Sequence, residues 1–280
     1  MLILFQESYR RSKMAFFKKD DIDFYFEDDA NSGTPFIFLH GLGGDTGQTS
    51  GLMKKTAGIR RIVMDFRGHG KTRYFGDESL LSFNQFADDV KALADYLKLD
   101  QFFLGGISTG AGVSLNFALR YPERVKRLVL SRPAWADCPQ PADIREAFKV
   151  IYQLLNNPEI KDKKAEYKKS GVYQKMNNLS SYVGETLLSQ FDYAYASEAS
   201  PKLICMPGDS PNTDRNEWRK LSMPTLILGS HLDPLHPYSY AELLHEYIPD
   251  SEFKEITSKT ISGEQHAKDS YGAICSFLNQ

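Results

Sequence analysis

Phe102-Phe103-Leu104-Gly105-Gly106-Ile107-Ser108-Thr109-Gly110-Ala111-Gly112 decides how the rest of the chain is read. An apolar run leads into a serine flanked by glycines, and a run of helical character follows. Gly106 to Gly110 fit the pattern G-x-S-x-G. With Phe102 to Leu104 as a buried strand and Thr109 to Tyr121 as a helix, Ser108 falls on the sharp turn between them, its hydroxyl presented above the sheet edge. A side chain at Gly106 or Gly110 is expected to collide with the backbone that doubles back there. Short glycine/serine patterns arise by chance, so the placement between strand and helix carries the reading.

Outward from this stretch, apolar runs recur at Pro35 to Leu39, Ile62 to Met64, Arg127 to Leu130 and Thr225 to Leu228, with a weaker one at Phe253 to Ile256. Such runs suit strands buried on both faces. Upstream, Ile22, Phe24 and Phe26 alternate with Asp23, Tyr25 and Glu27, the period of a strand with one wet face. The clearest helix starts at Ser82, where Gln85 completes the pattern of a capping box and Phe83, Phe86, Val90, Leu93 and Leu97 share one face. The helix after Ser108 is expected to end at Tyr121, because Pro122 disfavours helical backbone in its predecessor. Strands alternating with helices predict an α/β fold, a mostly parallel central sheet flanked by helices, with an antiparallel opening hairpin at one edge.

Between about Trp135 and Leu221 the alternation stops. Ile144, Phe148, Ile151 and Leu155 fall at helical spacing, and Ile160 to Lys169 is charge-rich. The segment is too long for a loop and lacks a strand at the sheet's rhythm, so residues 135–221 are expected to form a helical lid over the carboxyl edge of the sheet. The core then comprises residues 14–134 and 222–280, closing with a helix near His266 to Leu278. Residues 1–13 read as a detached N-terminal extension, with Met14 a candidate natural start.

Composition narrows the partners. A net charge of −2 over 280 residues offers no basic excess to neutralise phosphates, which argues against nucleic acid. Cys138, Cys205 and Cys275 are an odd set, far apart and without metal-ligand spacing, as expected of reduced thiols in the cytoplasm. No apolar run is long enough to cross a bilayer, and Leu2 to Phe5 is too short for the apolar core of a signal peptide. The expected partner is a small molecule, with no cofactor and no metal; the sequence leaves oligomeric state open.

Ligands of open α/β sheets bind where strands end. Four stretches stand there: Leu39 to Asp45, Asp65 to Thr72, Ser108 itself, and Gly229 to Pro237. Together they carry a His-Gly loop, the segment Asp65-x-Arg67-Gly68-x-Gly70, the serine turn and Gly229-x-x-x-Asp233-x-x-x-Pro237, with a late histidine after them. In this order the motifs resemble the α/β-hydrolase superfamily, in its lid-bearing, serine-nucleophile, esterase-like branch, from about Met14 to the end. Ala111 stands where a second glycine is usual, and Thr72 where serine is common; both changes are small.

A free hydroxyl is a poor nucleophile at neutral pH, so Ser108 requires a base. The resemblance implies the order serine, acid, histidine, which makes His266 the base, read as lying in a loop before the terminal helix, and Asp233 the acid. Asp137 is the alternative acid, since some members draw it from the end of the preceding strand. His245 falls inside a helical pattern and is the weaker candidate base. His40 and His69 are expected to brace loops, and His231 and His236 to make solvent or lid contacts. The oxyanion is expected to be held by the backbone N–H of Thr109 and, by resemblance, of Leu42.

The expected function is hydrolysis of small to medium esters with a largely apolar acyl part, through an acyl-enzyme. The same triad serves lactone opening, carbon-carbon bond hydrolysis and perhydrolysis, and a non-catalytic ligand-binding protein of the same fold is the alternative from another class. An aspartate nucleophile would have indicated dehalogenation or epoxide opening, and Ser108 argues against both. The glycines match neither the dinucleotide nor the Walker spacing, which argues against a nucleotide site. Trp135, Tyr152, Tyr173, Tyr182, Phe191, Tyr193, Tyr195 and Trp218 of the lid are candidates for lining a pocket, with only a few expected to touch ligand.

Overall fold

The computed structural model describes residues 13–193 and 195–280. Apart from Lys13, the expected N-terminal extension lies outside the described residues. Eight strands form one sheet in the order β1-β2-β4-β3-β5-β6-β7-β8. They are β1 Lys13–Lys19, β2 Ile22–Asp28, β3 Thr34–Leu39, β4 Ile59–Met64, β5 Phe102–Ile107, β6 Val125–Ser131, β7 Thr225–Gly229 and β8 Ser251–Glu255. β1 pairs with β2 and β2 with β4 in antiparallel fashion, and all other neighbours are parallel. The hairpin at the edge is therefore β1 with β2, turning at Asp20 and Asp21, both of which take positive φ. β1 was not foreseen as a strand: the residues before Met14 look detached, yet Lys13 already pairs with Asp28.

The α-helices are α1 Thr46–Leu52, α2 Phe83–Tyr96, α3 Thr109–Arg120, α4 Ala142–Leu155, α5 Lys163–Lys169, α6 Gly171–Leu179, α7 Ser181–Leu188, α8 Lys202–Gly208, α9 Tyr238–Tyr247 and α10 Gly263–Leu278. Strand alternation splits the core between the two faces of the sheet. In β3, Ile37 and Leu39 join a cluster with Phe83, Phe86, Val113 and Leu244, whereas Phe36 and Phe38 join Met53, Ile274 and Phe277 on the other side. Helices α2, α3 and α9 thus cover one face, and α10 with the end of α1 covers the other.

The start of α2 is half of a capping box. Ser82 Oγ accepts from Gln85 N at 3.3 Å, but the Gln85 amide donates forward to Asp89 Oδ1 at 3.0 Å instead of back to Ser82. Asp89 attracts it because Arg67 lies there as well: its Nε and Nη2 each meet the carboxylate at 2.7 Å, with both side chains fully buried. This pair ties the loop after β4 to α2, and Lys19 Nζ joins from β1 at 3.1 Å.

Helices α4 to α8 all fall between β6 and β7, in agreement with the helical insertion expected there. Buried Lys202 on α8 donates to the Gly68 carbonyl at 2.8 Å, fastening the insertion to the loop after β4. The hydroxyls of Tyr193 and Tyr195 likewise reach the Gly43 and Gly70 carbonyls. Among the described residues, no helix is long and apolar enough to cross a membrane.

Candidate active site

β5 ends at Ile107 and α3 begins at Thr109, so Ser108 is the single residue that reverses the chain. It does so at φ 57° and ψ −113°, a backbone that non-glycine residues adopt only under strain. The turn is tight on both sides. A Cβ on Gly106 would lie 2.2 Å from the Gly110 carbonyl carbon, and one on Gly110 would lie 2.3 Å from the Leu39 oxygen. Ser108 N donates to Ser131 O at 3.0 Å, so the β5–β6 ladder runs up to the serine and holds it in place.

Two cavities meet at this turn. The first, about 170 Å³, is lined by Ser108, Leu42, Trp135, Gln140, Gln190 and His236, among others. The second, about 290 Å³, is lined by Ser131, Lys259 and His266. Gln48, Ile107, Arg132 and Tyr182 line both and form the partition between them. Of the aromatics between β6 and β7 expected to offer a pocket surface, Trp135 and Tyr182 line the Ser108 cavity. Trp218 instead is fully buried and donates Nε1 to Asn212 at 2.8 Å.

The acid and base candidates are arranged differently from the expectation. Asp233, buried just beyond β7, accepts from Arg132 Nη1 at 3.1 Å and meets His236 Nδ1 at 2.9 Å. Burial works against its charge, but His236 and then Arg132 outweigh this and hold the carboxyl well below the usual range. His266 is the fourth residue of α10 and not part of the loop before it. Its Nδ1 faces the Thr257 carbonyl at 2.8 Å, which fixes the tautomer with the proton on Nδ1 and leaves the Nε2 lone pair free. A carbonyl thus orients this ring where an acid was expected. Among the described residues no hydrogen bond joins Ser108 Oγ to either histidine, or Asp233 to His266; the recorded partners of the two rings are Asp233 and the Thr257 carbonyl.

Asp137 is engaged elsewhere: Arg215 grips it with two N–H groups at 2.8 Å each. His245, on α9, is exposed and bonds Ser251 Oγ at 2.9 Å. His40 and His69 are buried loop braces, as expected. His40 Nε2 accepts from Phe66 N at 3.1 Å, and His69 Nε2 lies 2.9 Å from the Leu42 carbonyl. The latter contact anchors the loop that carries the Leu42 N–H. Thr109 N, first in α3, lacks an intrahelical partner by position and points out of the helix start.

His236 and Arg132 were the residues that sequence reasoning passed over. Expected to make solvent or lid contacts, His236 is 9% exposed and bound to Asp233. Arg132 directly follows β6, the position that the strand-end rule singles out, and its φ of 47° marks it as held by its surroundings.

His266 is pushed down to about 3, first by burial and next by Arg132. A base of that kind stays unprotonated far below the reference histidine value near 6.5. The acid limb of kcat/KM is therefore expected well under pH 5, and a limb at pH 6 to 7 in a pH-rate profile would remove His266 as the base. The same depression makes the fold prefer the neutral ring. The unfolded chain binds the extra proton between about 6.5 and about 3, so stability present above that window is lost as pH falls through it.

The model of the alpha/beta hydrolase fold family matches residues 34–260 of the chain. This chain belongs to the α/β-hydrolase family. The matched region includes Ser108 and Asp233 and stops short of His266. A 2-hydroxy-6-oxo-6-phenylhexa-2,4-dienoate hydrolase of Burkholderia cepacia is 33% identical over 142 residues, which is 47% of this chain and 48% of that protein. Lipase 3 of Moraxella sp. is 24% identical over 241 residues, 81% of this chain and 71% of the lipase. Against several curated relatives the chain spans only about half of their length or less. An esterase structure from Exiguobacterium antarcticum superposes with a TM-score of 0.75 at 19% identity, covering 96% of this chain and all of that one, a likeness of fold alone.

Proposed function

We propose that this α/β-hydrolase-family protein is a serine hydrolase that cleaves small to medium carboxylic esters through an acyl-enzyme. The observation that carries the reading is Ser108, held at φ 57° on the β5–α3 turn and facing a cavity that Leu42 also lines. A strained serine exposed to a small cavity beside two available amides is what acyl transfer needs.

In this reading a histidine takes the Ser108 proton as Oγ attacks the ester carbonyl, and the N–H groups of Leu42 and Thr109 hold the oxyanion. The alcohol departs with that proton. Water, deprotonated by the same ring, then releases the acid. His266 is the base by its place in the chain and by its free Nε2. His236 is the second reading, favoured by its 2.9 Å contact to Asp233 and its position in the Ser108 cavity. Asp233 holds the ring directly in the His236 reading; in the His266 reading the Thr257 carbonyl holds Nδ1 and Asp233 supports the imidazolium through its charge alone.

A fluorophosphonate probe and short p-nitrophenyl esters test the reading: labelling confined to Ser108 with turnover supports it, and absence of both favours the ligand-binding alternative. The variants then assign the base. His266→Ala is expected to lose activity about 10⁴-fold or more, with His236→Ala losing far less; the reverse ranking makes His236 the base. Asp233→Asn is expected to cost about 10⁴-fold, against a few-fold for Asp137→Asn, whose carboxylate pairs with Arg215. Lactones and vinylogous diketones belong in the same substrate series, since the B. cepacia relative is named as a hydrolase of 2-hydroxy-6-oxo-6-phenylhexa-2,4-dienoate.

A further inference from the structure

Arg132 does more in this structure than neutralise Asp233. Its guanidinium is almost wholly buried, one N–H serves Asp233, and Nε has no hydrogen-bond partner among the described residues. The Trp135 indole N–H is likewise buried without a partner and lines the Ser108 cavity. Lys259 lines the adjoining cavity and donates to the Tyr182 hydroxyl at 2.9 Å, with Tyr182 in the partition. Around the two adjoining cavities Arg132 and Lys259 are thus set against the single carboxylate of Asp233, one positive charge in excess, with donors of Arg132 and Trp135 and the Oδ1 of Asp233 left without partners among the described residues. Buried donors are rarely left without any partner, so each such group calls for an explanation.

We propose that Arg132 and Lys259 bind a carboxylate at the far end of the substrate's acyl part, so that the ester taken by Ser108 is a half-ester of a short dicarboxylic acid. This rests on the serine-hydrolase reading above. A single carboxylate balances the single excess charge, whereas a phosphate dianion overshoots it. The acyl side is assigned because the acyl part stays bound through both halves of the reaction while the alcohol leaves. Neighbouring groups register the same field. Burial pushes the Tyr182 hydroxyl up, yet Arg132 and Lys259 more than reverse that, and His266 and Lys259 are both pulled down by burial and then by Arg132. The polar lining replaces the largely apolar acyl group expected from sequence with one that ends in a charge.

Monomethyl adipate and methyl hexanoate differ mainly in a terminal carboxylate against a methyl group, and methanol release follows both. For the wild type, kcat/KM is expected to favour the half-ester by about 30-fold, the size of a charge-assisted hydrogen bond or two. Lys259→Gln should lower that ratio about tenfold, and Lys259→Arg should restore it, which a loss of packing at Tyr182 would not allow. A ratio near one or below in the wild type, or one unmoved in Lys259→Gln, overturns the carboxylate site. If neither ester is turned over, calorimetry with monomethyl adipate separates the two failures. Saturable binding weakened by Lys259→Gln keeps the site and overturns only the hydrolase reading, while no binding overturns both.

Discussion

Ser108→Ala is expected to reduce ester turnover by about a million-fold while leaving the fold intact, the loss found when the nucleophile of a cooperating triad is removed. The oxyanion donors and the cavity persist in the variant, so substrate should still bind. The backbone strain persists too, because alanine at φ 57° is no better placed than serine. Glycine is better placed, and Ser108→Gly should be as inactive as Ser108→Ala yet more stable by about 1 kcal/mol, the lower end of the cost of such a residue. Steady-state turnover and urea midpoints measure the two effects separately. A Ser108→Ala protein with more than about a hundredth of wild-type activity would show that the nucleophile lies elsewhere.

Asp89→Ala should destabilise the fold by about 3–5 kcal/mol. Arg67 is fully buried, donates two N–H groups to this carboxylate, and has its next carboxylate, Asp20, only at 3.9 Å. Removing Asp89 leaves a guanidinium out of water with little to balance it. Against a total of about 5–15 kcal/mol for a typical domain, that is enough to bring the protein close to unfolding at ordinary temperature. Lys91→Ala is the control: its pair with Asp95 sits on the surface of the same helix, and the change should stay within about 0.5 kcal/mol. Urea denaturation of the two variants, with equal slopes, makes the comparison. A loss under about 1 kcal/mol for Asp89→Ala would mean that water reaches Arg67 once the carboxylate is gone.

The two predictions draw on different kinds of legibility. Ser108 is readable from local chemistry, because an apolar strand, glycines that permit close backbone approach and a following helix all lie in one short stretch. Arg67 is readable as part of a motif, but nothing in the sequence pairs it with Asp89, which lies on a helix formed independently. Gln85 makes the same point. As a capping-box residue it belongs to Ser82, yet the buried carboxylate one turn on draws its amide away.

By itself the sequence determined the alternation of strands and helices, the turn that presents Ser108, the strand-end positions of Leu42 and Asp233, and the helical insertion between β6 and β7. These follow from side-chain periodicity, glycine sterics and chain order, each local to a few residues. Only the tertiary structure decided which groups meet. It brought Asp233 to His236 and Arg132, put His266 on a helix facing the Thr257 carbonyl, gave Asp137 to Arg215, and placed Arg132 in the Ser108 cavity with Lys259 in the adjoining one. The physical reason is that a buried charge takes the partner that packing sets within hydrogen-bond reach, and residues as far apart in the chain as Arg132 and Asp233 become neighbours only when β6 and β7 pair.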